Sequence, residues 1–193
     1  MRCFGAETTL KLLEFIDEAR NHVEALVPEG RVGGVEAERR QQFLVPLHAA
    51  RAQHVQEVIR PALHSGHILL CDRYTDATWA YQHGGRGLPV EQIKTLCDMA
   101  EQGVQPDFTF VFDMPCELAL RRLAIRQAKP GQEVPSRFDE EALAFHDRVR
   151  AQYLLRAKQF AERMIVIDAS GEIKEVTKMV MHHLRDHLDS EVA

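Results

Sequence analysis

The sequence has no apolar run approaching the ~18 residues that a membrane-spanning helix requires, and no hydrophobic stretch near its N-terminus of the kind that marks a signal peptide. A cytoplasmic location and no membrane partner are therefore expected. The four cysteines, Cys3, Cys71, Cys97 and Cys116, form no C-x-x-C pair and no regular spacing. Neither a disulfide framework nor a zinc site is expected from them, and they read as reduced thiols. Basic residues are outnumbered: 24 Lys and Arg face 29 Asp and Glu, a net charge of -5. That balance gives nucleic acid and acidic membranes no overall attraction, so an anionic ligand must be small and gripped locally. Internal repeats, low-complexity tracts and linkers are also lacking, which makes residues 1–193 a single expected domain.

What is present is ordinary globular material, 45% hydrophobic and 27% charged residues. Short apolar runs alternate with longer stretches of helical period, a pattern that predicts an α/β fold with a mainly parallel sheet and helices on both faces. His67–Cys71, Phe108–Phe112 and Met164–Ile167 are compact and bounded by Gly, Pro or Asp, as buried parallel strands are. The first two are expected to lie centrally, and Val23–Val27 is a weaker strand candidate. Thr9–Arg20 repeats apolar residues at Leu12, Phe15, Ile16 and Ala19, with Thr8 or Thr9 as N-cap. Further helices are expected over Arg51–Leu63, kinked near its end by Pro61, and over Pro89–Gln102, stopped by Gly103. A long helix over Asp139–Arg163 is striped by Phe145, Val149, Tyr153 and Phe160, and Glu172–His187 forms the last. Gln127–Ser136, with two prolines and a glycine, reads as an exposed mobile loop.

The segment Cys71–Gly87, C-D-R-Y-T-D-A-T-W-A-Y-Q-H-G-G-R-G, begins where an apolar run ends. Ligands of parallel α/β sheets bind beyond the carboxyl ends of strands, so Asp72 and Arg73 stand where chemistry is done. The planar fork of an arginine can donate two charge-assisted hydrogen bonds to a phosphate, and Asp72 could organise Mg²⁺ or orient an attacking oxygen. On spacing alone a second reading stays open, in which the two residues cap the next helix and pair with surface charges.

D-R-Y followed by A-Y-Q-x-G-G-R-G resembles the substrate-binding segment of thymidylate kinases. Four further blocks stand in that family's order: A-A-R-A-Q-H-V-Q-E-V-I-R-P-A-L (Ala49–Leu63), Q-P-D-F-T-F-V-F-D-M-P (Gln105–Pro115), R-F-D-E-E-A-L-A-F-H-D-R-V-R-A-Q-Y (Arg137–Tyr153) and V-I-D-A-S (Val166–Ser170). The resemblance runs from about Val35 to the C-terminus. It implies a three-layer P-loop nucleoside monophosphate kinase-like fold with a lid at about residues 122–138, a homodimer, and phosphoryl transfer from ATP to dTMP with Mg²⁺ between the phosphates. It further implies that Arg73 binds the dTMP phosphate, that Arg51 hydrogen-bonds the thymine edge, and that Thr78 and Gln82 complete the polar contacts. Tyr81 would pack near the deoxyribose and exclude a 2′-hydroxyl. Leu47 stands where the family has a Phe stacked on thymine, so an aromatic platform worth about 1 kcal/mol is lacking. His83 replaces a family glycine. Arg121, Arg122 and Arg126 sit on the helix entering the lid, where the resemblance assigns Arg126 to the transferring phosphate and Arg122 to ATP. A solvated basic helix end is the other reading of these three.

The resemblance fails at the phosphate loop. A P-loop reads G-x-x-x-x-G-K-[ST]: backbone N–H groups cradle the phosphates, the Lys reaches the β and γ oxygens, and the hydroxyl holds Mg²⁺. This chain reads M-R-C-F-G-A-E-T-T. Against the family's D-G-A-G-K-T-T, Gly5, Ala6, Thr8 and Thr9 remain as candidate ATP contacts and Thr8 as a candidate Mg²⁺ ligand, but Glu7 replaces the Gly-Lys pair. The apolar strand that should lead into the loop is expected to be missing or truncated, and Gly30–Gly34, G-R-V-G-G, stands where the family has R-E-P-G-G. The expectations are a thymidylate kinase of impaired activity, a nucleotide-binding pseudokinase without turnover, or a kinase of another, modified pyrimidine monophosphate.

Overall fold

A computed structural model of the protein describes the backbone of residues 36–127 and 140–190, with side chains over 44–125 and 142–187. The expected helix Thr9–Arg20, strand Val23–Val27, phosphate loop, Gly30–Gly34 segment and the lid loop beyond Gln127 lie outside the described residues. In chain order the elements are α1 (Glu36–His54), a π-helical stretch (Val55–Ile59), α2 (Arg60–His64), α3 (Thr75–Thr78), a second π-helical stretch (Trp79–Gly85), α4 (Val90–Glu101), β1 (Thr109–Asp113), α5 (Cys116–Gln127), α6 (Glu140–Gln159), β2 (Met164–Asp168) and α7 (Ile173–Ser190). The expected α/β class is observed, helix-rich with a parallel sheet. The described residues group into two compact units, one within Met1–Thr75 and Lys94–Val104, the other within Asp76–Ile93 and Gln105–Ala193.

In the first unit, α1 passes without a break through the π stretch into α2, so the helix expected over Arg51–Leu63 begins much earlier. The irregularity attributed to Pro61 falls on the turn before it. A proline ring crowds the carbonyl four residues back and brings no N–H of its own, and the ladder widens there: the Arg60 N–H bonds to the carbonyl of Val55, five residues back. Leu44, Val55 and Ile59 on this helix, and Cys97 and Ala100 on α4, are buried. Gln56 and Arg60 both donate to Gln102, one to its side chain and one to its carbonyl. Gln102 and Gly103 end α4 at φ 51° and 79°, the left-handed conformation that closes helices.

One expected strand is not formed. His67–Cys71 has no regular secondary structure and no sheet partner among the described residues, where β1 and β2 make up the one sheet. Ile68 and Leu70 are 59% and 55% exposed. A run of strand-forming residues becomes a strand only when a neighbour takes its backbone hydrogen bonds, and none does so among the described residues.

In the second unit, β1 and β2 pair in parallel from Thr109 opposite Met164 to Asp113 opposite Asp168, one residue beyond the expected ends. The apolar stripe of α6 faces them: Val111, Ala157 and Met164 form a buried cluster with Tyr153 and Phe160 packed against it. The other end of the stripe lies on the second π stretch. A Cβ on Gly85 would sit 2.7 Å from both Phe145 and Val149, and one on Gly84 would collide with Gln152. The two helices can approach this closely only at glycine. Gly85→Ala should therefore cost about 1–3 kcal/mol of stability through overpacking, read as a lower midpoint in urea unfolding. An unchanged midpoint would show that the contact relaxes without cost.

Candidate functional site

In the first unit α1 places Leu47 and Arg51 on one face, a turn apart. The Arg51 guanidinium lies over the Tyr74 ring, 5.6 Å from its centroid, a cation–π contact. Burial lowers the pKa of Arg51, and Cys97, Cys71, Tyr74 and Glu101 around it oppose that shift. Tyr74 is itself held, because its hydroxyl donates to the Val104 carbonyl at 3.0 Å. Burial pushes the phenol up to about 12, so it keeps the proton it donates. His48, buried one turn before Arg51, donates through Nδ1 to the Leu44 carbonyl at 2.7 Å. Arg51 thus projects from a fixed base.

Asp72 and Arg73 follow the unpaired run and are exposed. Arg73 has φ 61°, a left-handed conformation that costs a residue with a Cβ on the order of 1–3 kcal/mol and gathers at functional sites. The strain sits on the arginine that the sequence singles out.

The second unit carries Thr78, Tyr81 and Gln82 on the continuous helical run Thr75–Gly85. Thr78 is buried. Tyr81 meets Phe145 edge-on with ring centroids 6.2 Å apart, and the Gln82 side-chain oxygen accepts from Arg86 at 3.3 Å. His83 donates through Nδ1 to the Leu88 carbonyl at 2.8 Å and closes the turn that follows.

Beneath this run lies a network that the sequence reading missed. Asp76 is 4% exposed. Arg156 donates to its Oδ1 from Nε at 3.0 Å and Nη2 at 2.7 Å, and Arg163 donates to Oδ2 at 2.8 Å and to Oδ1 at 2.9 Å. Thr109, at the start of β1, adds a longer contact to Oδ2 at 3.4 Å. Burial works against the carboxylate, but the hydrogen bonds and charges of Arg163 and Arg156 outweigh it and hold the pKa below the ordinary value. The Arg156 guanidinium also lies over Trp79 and Phe160, at 4.8 Å and 4.9 Å. One signal was available: Arg156 interrupts the apolar stripe of α6 between Tyr153 and Phe160, and a charge on a buried stripe requires a partner.

At the carboxyl end of the sheet, Asp113 grips Arg150 through two bonds of 2.6 Å and 2.8 Å. The Asp168 carboxylate accepts from the Ser170 N–H at 2.8 Å. Arg122, on α5, donates to the carbonyls of Ala169, Ser170 and Gly171 at 2.7, 2.6 and 3.3 Å. The end of the V-I-D-A-S block is therefore pinned by an arginine of α5. Arg126 lies on α5 with its side chain outside the described residues, as do Gly5, Ala6, Glu7, Thr8 and Thr9. Among the described residues no group of three or more His, Cys, Asp and Glu could hold a metal ion. The single exposed carboxylate of Asp72 fits an ion that keeps its water and is held mostly by substrate phosphates, as Mg²⁺ is. No helix among the described residues is long and apolar enough to cross a membrane.

A family model described as "Thymidylate kinase" matches residues 34–180. A thymidylate kinase of Chromobacterium violaceum is 44% identical over 164 residues, covering 85% of this chain and 72% of the relative. One from Citrifermentans bemidjiense is 46% identical over 142 residues, 74% of this chain and 63% of the relative. One from Pseudomonas putida is 47% identical over 135 residues, 70% of this chain and 61% of the relative. The chain thus spans 61% to 72% of the length of these three.

Proposed function

This chain belongs to the thymidylate kinase family, whose fold is that of the P-loop nucleoside monophosphate kinases, and from that premise we propose that it transfers a phosphoryl group from ATP to dTMP, giving ADP and dTDP. The transferred group carries charge on its oxygens, so catalysis is positioning plus electrostatic stabilisation. Arg73 would hold the dTMP phosphate with its fork, and its strained backbone is the observation that best supports the reading. Arg51, fixed over Tyr74, would read the thymine edge beside Leu47. Thr78 and Gln82 would add polar contacts, and Tyr81 would stand against the sugar. Arg126 would meet the transferring phosphate. Arg122 would act on ATP by fixing residues 169–171, to whose carbonyls it donates.

Asp72 and Thr8 would hold Mg²⁺ together with the nucleotide phosphates, and the ion would neutralise charge between them. With Gly5, Ala6, Thr8 and Thr9 kept and Glu7 in place of Gly-Lys, we propose that ATP binding is weak and turnover impaired. A pseudokinase that binds dTMP without turning over ATP is the second reading, favoured by Glu7 alone. Separate titrations of dTMP and ATP distinguish the two. We also propose a single kinase domain, a cytoplasmic location and a homodimer; a monomer in sedimentation at micromolar concentration would remove the dimer.

Arg73→Ala should weaken dTMP binding by about 1.5–3 kcal/mol, the scale of a hydrogen bond to a charged group. Unchanged affinity in calorimetry would take Arg73 out of the site. In the same titrations Arg51→Ala should narrow the preference for dTMP over dCMP, whereas an equal loss for both would make Arg51 structural.

A further inference from the structure

We infer that Asp76, Arg156 and Arg163 form a positioning clamp that sets the geometry of the helical run bearing Thr78, Tyr81 and Gln82, an inference that rests on the dTMP-binding role proposed for those three. The run Thr75–Gly85 is anchored at both ends. At its start, Asp76 is held by four arginine hydrogen bonds between 2.7 and 3.0 Å. At its end, Gly85 sits against Phe145 and Val149, and its carbonyl accepts from Arg148 at 3.2 Å. Between the anchors the helix is π-wound over Trp79–Gly85, an irregular winding that isolated sequence does not favour and that is frequent at functional sites.

The winding decides which way Tyr81 and Gln82 face. Both anchors are on α6 or just beyond it, so α6 is the template on which this geometry is made. Trp79 links the two features: it is the first residue of the π stretch, and its ring lies under the Arg156 guanidinium. A buried ion pair that only added stability would not need to sit at the root of this run or to share its arginine with the tryptophan that opens the π winding.

The test uses Asp76→Asn in the full chain, which keeps the shape of the side chain and removes its charge. Amide hydrogen exchange across Trp79–Gly85 should accelerate at least about tenfold while exchange in α7 is unchanged, as expected for local opening. Emission from Trp79, the single tryptophan of the chain, should shift to the red as Arg156 is released. In calorimetry the variant should bind dTMP at least about tenfold more weakly, the scale of a small misplacement of positioned groups. Exchange and dTMP affinity at wild-type values, with a lower urea midpoint alone, would overturn the clamp and leave a structural ion pair. If Asp76→Asn does not fold, Arg156→Lys takes its place, since it keeps the charge but loses the fork and the stacking. Failure of the unmodified chain to bind dTMP would overturn the proposed function, while hydrogen exchange, which needs no ligand, still decides the clamp.

Discussion

Replacing Glu7 with the pair Gly-Lys should raise dTMP-dependent ADP formation at least about 10²-fold over the unmodified chain, the typical scale for one electrostatic group at a transition state. The gain comes from charge. A P-loop lysine reaches the β and γ oxygens, and the lost glycine allows the backbone to wrap them. A carboxylate in that place repels a triphosphate, and like charges ~4 Å apart cost about 4 kcal/mol at an effective dielectric near 20. Glu7→Gln removes the repulsion without supplying the cation or the glycine, and should recover little. The comparison is made in a coupled ADP assay, in this chain and in one carrying the N-terminal residues of a relative ahead of Met1. Ordinary turnover by the unmodified chain would defeat the argument and show that another cation, with Arg126 the first candidate, has taken over the lysine's role.

Asp76→Ala should lower the free energy of unfolding by about 3–5 kcal/mol, the cost of removing one partner from a buried ion pair. The substitution leaves Arg156 and Arg163, with side chains 9% and 14% exposed, without the carboxylate they share. The loss should depend on pH with a definite sign. Because the folded-state pKa of Asp76 is depressed, its contribution is complete above the unfolded value near 4 and disappears as pH falls through the lower folded value. Urea unfolding of the wild type should therefore weaken more steeply below about pH 4 than that of the variant, and the two should converge in acid. A difference under about 1 kcal/mol at pH 7, or one that does not shrink in acid, would mean that relaxation or water replaces the carboxylate.

The parts of this structure legible in the sequence are those with a local cause. Phe108–Phe112 and Met164–Ile167 announce themselves as apolar runs closed by Asp, and each forms a strand displaced by no more than a residue. His67–Cys71 has the same local signature and forms none, because pairing is a property of two segments and the signature describes one. The end of α4 was legible in Gly103, and the stripe of α6 in its period. Pro61 announced an irregularity near the end of its helix but not that it would be a π turn one turn earlier, and the second π stretch was not legible, since Gly84 and Gly85 meet α6, a distant segment. Of the candidate site, Arg73 was visible as a residue but its left-handed backbone was not. Asp76 and its two arginines carry no local sign of one another.

The pairing of β1 with β2 has a consequence for synthesis. The two strands are parallel neighbours separated in the chain by α5 and α6, so β1 leaves the ribosome before β2, its partner among the described residues, and that pairing waits while two helices are made behind it. Contacts between distant segments form late, because the intervening chain must first be closed into a loop. Helix α6 can begin to coil on its own, whereas the pairing of β1 with β2 must wait for Met164–Asp168 to emerge. During that interval Val111 and the Asp76 pocket lack the covering that Met164 and Arg163 later provide, and the nascent chain is at its most vulnerable to association with its neighbours on the same polysome.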